Sequence, residues 1–195
     1  MPVQHDDDTL MKRLRDGDLE ALGALIDRHR NAAIRHGTRC VGDFHVAEEL
    51  AQEAFLRLVR CAGEYVPGGR FVPFLYRILT RLCIDELRRR QQRKRLAARL
   101  GESVDEVVDP RAFPPDRQAA GREEVQRVWS EVDGLTPDQK ACLLLRELEA
   151  KSYAEIAEIL GCSLESVKVT LHRARKRLLE ALSRPARRSL EAKPV

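Results

Sequence analysis

No stretch of this chain runs more than six residues without a charged side chain. A helix that crosses a bilayer needs about 20 apolar residues, so no membrane span is expected. The first residues, with Asp6, Asp7 and Asp8, lack the basic flank and apolar core of a secretory leader. The five cysteines, Cys40, Cys61, Cys83, Cys142 and Cys162, stand about twenty or more positions apart and form no CxxC pair. That spacing excludes the common zinc-ligand patterns and reads as reduced thiols packed mostly in cores, in a cytoplasmic protein. The five histidines, His5, His29, His36, His45 and His172, show no ligand spacing either. Neither a metal nor another cofactor is therefore expected. Aromatics make up only 5% of the residues, which fits small helical bundles better than a β-rich fold.

What the chain does have is charge. Of its 195 residues, 43% are hydrophobic and 34% charged, for a net charge of +4. The charge is unevenly placed, and the placement says more than the total. From Arg77 to Arg95 there are eight Arg or Lys against two acids, and from Ser163 to Arg188 again eight against two. Between them, Gly101 to Glu124 carries seven acids against three Arg. Two basic blocks separated by an acidic one imply two surfaces for a polyanion, joined by a segment that avoids it.

Helix signals dominate the pattern. Asp8 is placed to cap a short helix ending at Gly17, and Asp18 to cap the next, where Leu19, Leu22, Leu25, Ile26 and Ala33 fall at helical spacing. Gly42-Asp43 breaks the chain and recaps it. The helix from about Phe44 to Cys61 has Val46, Leu50, Ala54 and Leu58 on one face and Glu48, Glu49, Gln52 and Glu53 on another. Gly63 to Arg70 is turn chemistry. A long helix follows from about Pro73 to Leu100, apolar at Leu75, Ile78, Leu82 and Leu87 and strongly basic at its end. Gly101 to about Gly121, with Pro110, Pro114 and Pro115, reads as a flexible acidic linker. Helical spacing resumes at Val125, Val128, Trp129 and Val132, and Thr136-Pro137 opens another helix with Cys142, Leu143, Leu144, Leu145 and Leu148. The expected fold is all-α: two small helical domains, 6–100 and 122–184, joined by the linker 101–121 and followed by a basic tail, 185–195.

The segment Ser152 to Leu182 has the signals of a helix-turn-helix. Ser152 and Glu155 form a capping box, Tyr153, Ile156, Ala157 and Leu160 an apolar stripe, Gly161 a helix stop, and Ser163 a second cap. Val167, Leu171 and Ala174 face inward on the second helix. Ser163, Glu165, Ser166, Lys168, His172, Arg173 and Lys176 are then left for DNA, base edges near the helix start and phosphates further along. A helical hairpin with a solvated basic face is the plainer alternative.

These residues carry a resemblance. Leu135 to Lys140 and Ser152 to Arg175 resemble region 4 of bacterial sigma factors, in particular the extracytoplasmic-function (ECF) group. Ala47 to Phe55 resembles region 2.2, and Phe74 to Arg90 resembles regions 2.3 and 2.4. The resemblance implies a protein that binds core RNA polymerase and directs it to promoters, under control of an anti-sigma factor. By the same resemblance, Glu48, Glu49, Gln52 and Glu53 would dock on the β′ coiled coil, with the β flap as a second polymerase contact. Tyr65, Arg70, Phe74, Arg77, Arg81, Arg88, Arg89 and Arg90 would handle minus-10 DNA, and the helix-turn-helix the minus-35 element. Phe74 stands where the family often has tryptophan, Arg81 where it usually has asparagine, and Glu49 where aspartate is common.

Two other classes fit the sequence less well. A repressor or activator would need a sensor pocket or dimer surface in residues 6–100, where a basic helix and an acidic helix stand instead. A DNA-processing enzyme would need clustered carboxylates or an activated nucleophile, and the acids here are spread along helix faces and the linker.

Overall fold

The protein, described here from a computed structural model, is defined over residues 6–100 and 122–183. The expected acidic linker, 101–121, and basic tail, 185–195, lie outside the described residues. Among those residues eight α-helices run α1 Asp7–Arg15, α2 Leu19–Val41, α3 Phe44–Arg60, α4 Phe71–Leu100, α5 Arg122–Asp133, α6 Pro137–Glu147, α7 Tyr153–Leu160 and α8 Leu164–Ser183, with a single 3-10 turn at Ala62–Glu64.

Local chemistry sets most helix ends. Asp18 accepts the Glu20 amide at 3.0 Å. Gly42, at φ +73°, closes α2, and Asp43 accepts the Val46 amide at 3.1 Å to open α3. Asp8 does not cap α1, contrary to expectation; Asp6 does, accepting the Thr9 amide at 2.7 Å. The long helix α4 starts at Phe71, and Pro73 fits within its first turn because an amide there has no helical partner to lose.

The first core lies between α1, α2, α3 and α4. Met11, Leu25, Leu58, Phe71, Leu75 and Leu79 are wholly enclosed in it, each contributing about 1.5–3 kcal/mol from lost apolar exposure. Leu19, expected on this face, is instead exposed. Helices α2 and α3 approach closely because small residues face each other: a Cβ on Gly37 would lie 3.1 Å from that of Ala47.

The second core gathers Val132, Leu135, Cys142, Leu145, Ile156, Ile159, Val167, Leu171 and Ala174 from α5 to α8. Each core borrows from the other half. Tyr76 of α4 packs into the second, and Leu144 of α6 into the first. The two halves thus share side chains across α2, α4, α6 and α7.

Candidate functional site

The helix-turn-helix is built as its caps dictate. Glu155 donates its amide to Ser152 Oγ at 3.2 Å, while the Glu155 carboxylate accepts the Ser152 amide at 2.8 Å. The Ser152 hydroxyl also donates to that carboxylate at 2.7 Å, and with the Ser152 amide it holds the Glu155 carboxyl below its ordinary range. Gly161, at φ +66°, ends α7 in a conformation that glycine adopts without strain. Ser163 Oγ accepts the Ser166 amide at 3.1 Å and starts α8. The buried stripe of α7 is Ile156 and Ile159, with Ala157, Leu160 and Tyr153 only partly covered. Ile159 went unread in the sequence, although Ile156 three positions before it marks the same face.

Helix α8 turns Val167, Leu171 and Ala174 inward and leaves Ser163, Glu165, Ser166, Lys168, His172, Arg173 and Lys176 exposed. Six of the seven expected contact residues thus lie exposed on α8, and the seventh, Ser163, caps its start. Lys168 reaches back to Glu165 at 2.8 Å and Lys176 to Glu180 at 3.9 Å, contacts that water competes for. Arg175 is tied to Glu147 at 2.6 Å, bracing α8 against α6.

On α3, Glu49 and Gln52 are exposed, Glu48 pairs with Arg30, and Glu53 pairs with Arg57 at 2.8 Å. Sequence reasoning missed Leu56, which is 55% exposed on this helix. It stands seven positions after Glu49 and four after Gln52, and so on the same face. With Leu22, Ile26 and Phe55 it lines an open groove between α2 and α3.

The expected minus-10 set divides. Tyr65 and Phe74 are core residues, 6% and 8% exposed, so neither offers an open ring face to DNA in this structure. Their rings meet edge to face at 5.3 Å, Phe71 packs on Tyr65 at 6.5 Å, and the Tyr65 hydroxyl donates to Asp8. Burial and that carboxylate push the Tyr65 hydroxyl's pKa upward. Apolar packing outweighs exposure here because the preceding loop is folded down: Asp8 also accepts the amides of Gly68 at 2.8 Å and Gly69 at 2.9 Å. Arg70, Arg81, Arg88 and Arg89 remain exposed, Arg77 and Arg90 half-buried. Arg77 lies over the Phe74 ring at 4.9 Å. Glu86, itself buried, organises the basic end of α4, bonding Arg89 at 2.7 Å, Arg90 at 3.0 Å and Arg93 at 3.2 Å.

Among the described residues, no three His, Cys, Asp or Glu side chains are grouped to hold a metal ion, and no helix is long and apolar enough to cross a membrane.

This arrangement matches known proteins over both halves. The Sigma-70 region 2 family pattern matches residues 25–93, and that of Sigma-70 region 4 residues 126–178. The chain is 30% identical to the RNA polymerase sigma factor CarQ of Myxococcus xanthus, over 88% of this chain and 95% of that one. It is 35% identical to the ECF RNA polymerase sigma factor SigE of Mycolicibacterium smegmatis, over 82% of this chain and 61% of that protein's length. Among solved structures, CnrH in complex with the cytosolic domain of CnrY shares the fold, with a TM-score of 0.61 at 24% identity, covering 90% of this chain and 96% of that one. With matches to both sigma regions in order, CarQ aligned along nearly its whole length and the ECF factor SigE 35% identical, the chain belongs to the ECF group of RNA polymerase sigma factors.

Proposed function

We propose that this chain joins core RNA polymerase in the bacterial cytoplasm and selects promoters through two separated surfaces. Residues 6–100 form the region 2-like domain and 122–184 the region 4-like domain, with the acidic linker 101–121 between them. Helix α3 docks on the β′ coiled coil through Glu48, Glu49, Gln52 and Glu53, and a second contact is made with the β flap. Leu56 and the groove beside it supply the apolar part of that interface, since a helix-on-helix contact needs apolar anchors as well as charge. Arg70, Arg77, Arg81, Arg88, Arg89 and Arg90 bear on minus-10 DNA. Helix α8 reads the minus-35 element with Ser163, Glu165, Ser166, Lys168, His172, Arg173 and Lys176. The protein acts as an initiation factor, and catalysis belongs to the polymerase. The sigma factor RpoE of Bartonella quintana is bound by the anti-sigma factor NepR, and we assign this chain a partner of the same kind, an anti-sigma factor.

The observation that carries this reading is the exposed polar and basic side of α8, held out by a doubly capped helix-turn-helix. Transcription in vitro with core polymerase and a genomic fragment library tests it. Start sites that require this protein are expected. A protein that only shifts duplex DNA and never co-elutes with core would overturn it.

A further inference from the structure

Glu149 stands in the turn between α6 and α7, followed by Ala150 at φ +50°, a backbone conformation that residues with a Cβ rarely adopt. This turn carries the carboxylate out of its own half and into the other. Glu149 accepts from Arg39 Nη1 of α2 at 3.0 Å and from the Tyr76 hydroxyl of α4 at 3.2 Å. It also faces His36 Nδ1 at 3.6 Å, within ion-pair range but beyond a hydrogen bond.

His36 is fully enclosed. Its Nε2 meets Thr80 Oγ1 at 3.1 Å and Cys40 Sγ at 3.6 Å, and its ring packs on Tyr76 at 4.6 Å. Nδ1 has no hydrogen-bond partner among the described residues. A buried nitrogen left in that way is costly, and the Glu149 carboxylate is the group placed to compensate it. Arg35 of α2, Cys83 of α4 and Lys140 of α6 are the other ionisable groups acting on this cluster. Lys151 adds its ammonium over the Tyr76 ring at 5.5 Å.

We propose that Glu149 is an intramolecular latch that holds the helix-turn-helix half against α2 and α4. All three of its partners stand on α2 and α4, so the contact spans the junction between the two halves. While the latch is closed, the turn at Gly161 lies against Arg81, and Glu158 lies 3.9 Å from Arg70. Asp138 of α6 holds Arg88 at 3.1 Å. Three arginines of the minus-10 set are thereby engaged within the chain, whereas the α8 face stays open. Opening the latch would free them. That consequence rests on the proposed assignment of α4 to minus-10 DNA; the latch itself does not.

The test is X-ray scattering and thermal unfolding of the full chain, with circular dichroism as the control for folding. Wild-type protein should unfold in one transition and be compact, with a radius of gyration near the ~16 Å typical of a domain this long. Glu149→Gln should keep its helix content, expand by several ångströms, and unfold in two transitions. Should Glu149→Gln lose helix, Arg39→Gln with Tyr76→Phe, which leaves the turn untouched, carries the same expectation. A wild-type chain already expanded, or removal of either set of partners with no change in size or transition, would overturn the latch. Binding of a short mixed-sequence single-stranded DNA reads the consequence separately. Expansion without at least a severalfold gain in that binding would leave the latch standing and count against the assignment of α4.

Discussion

The guanidinium of Arg81 lies against Gly161, so close that a Cβ on that glycine would stand 2.8 Å from Nη2. The turn of the helix-turn-helix thus abuts the middle of α4. Because Gly161 holds φ +66°, Gly161→Ala should lose about 1–2 kcal/mol from left-handed strain alone, while the flexible Arg81 tip moves aside. Urea unfolding checks the sum, and repeating it in an Arg81→Ala background checks the cause. A loss that disappears without Arg81 would show that collision, and not backbone strain, sets the penalty.

Asp8 fastens the loop before α4. Asp8→Ala strands the Tyr65 hydroxyl and two loop amides, for an expected loss of about 1–3 kcal/mol. Hydrogen exchange at Gly68 and Gly69 should accelerate at least tenfold. The Asp8 carboxyl is held below its ordinary 3.8, first by the Tyr65 hydroxyl and then by the two glycine amides. Its contribution is therefore complete above that value and lost as pH falls through the lowered one. Exchange at these two amides that is unaffected by the substitution would remove the loop-fastening role.

The latch should depend on pH in a defined sense. Burial alone would lower the His36 pKa, but Cys40 and Glu149 outweigh it and raise it from 6.5 to about 9. Burial would likewise raise Glu149, yet His36, Arg39 and Tyr76 bring it down from 4.5 to about 2. A raised histidine stabilises fully below 6.5 and loses its contribution as pH passes about 9; a lowered carboxylate stabilises above 4.5 and fails toward about 2. The closed form should therefore be most stable between about 4.5 and 6.5 and weaken from neutrality to about 9. Scattering across that range should show expansion at alkaline pH, and His36→Gln should flatten the alkaline limb.

Gly37 sets the separation of α2 and α3. Gly37→Leu should cost about 1–3 kcal/mol or more from overpacking against Ala47. Gly37→Ala sets a contact at 3.1 Å against a helix-propensity gain of about 1 kcal/mol, and should come out near neutral. Thermal unfolding of the two variants gives both signs. A tolerated leucine would mean that the helices separate without loss.

Charge reversal should divide the functional surfaces. Arg173→Glu with Lys176→Glu should abolish promoter selection, a loss of at least tenfold, with core binding intact. Glu49→Lys with Gln52→Lys should do the opposite. Co-elution with core and in vitro transcription measure the two arms, and a common failure of both pairs in one assay would refute the division of labour.

The readable parts of this chain were those governed by short-range bonds. Asp18, Asp43, Thr136, Ser152 and Ser163 all cap helices as their positions suggest, because each bonds an amide two or three residues away. Asp8 was misread for the converse reason. By local rules it is a good cap, but its partners lie 57 to 61 residues further on. The exposed side of α8 followed from helical period and charge. Leu56 did not, since a leucine on a helix is as readily core as surface until its neighbours are placed.

Capping, periodicity and charge blocks act over a few residues, so the helical class, the helix-turn-helix and the division into two helical blocks are legible along the chain. That Tyr65 and Phe74 are core, that Glu86 gathers three arginines, and that Glu149 reaches His36, Arg39 and Tyr76 emerge only in the folded molecule. Those outcomes depend on which faces meet across separate helices, where burial and the need to pair buried charges outweigh any local preference.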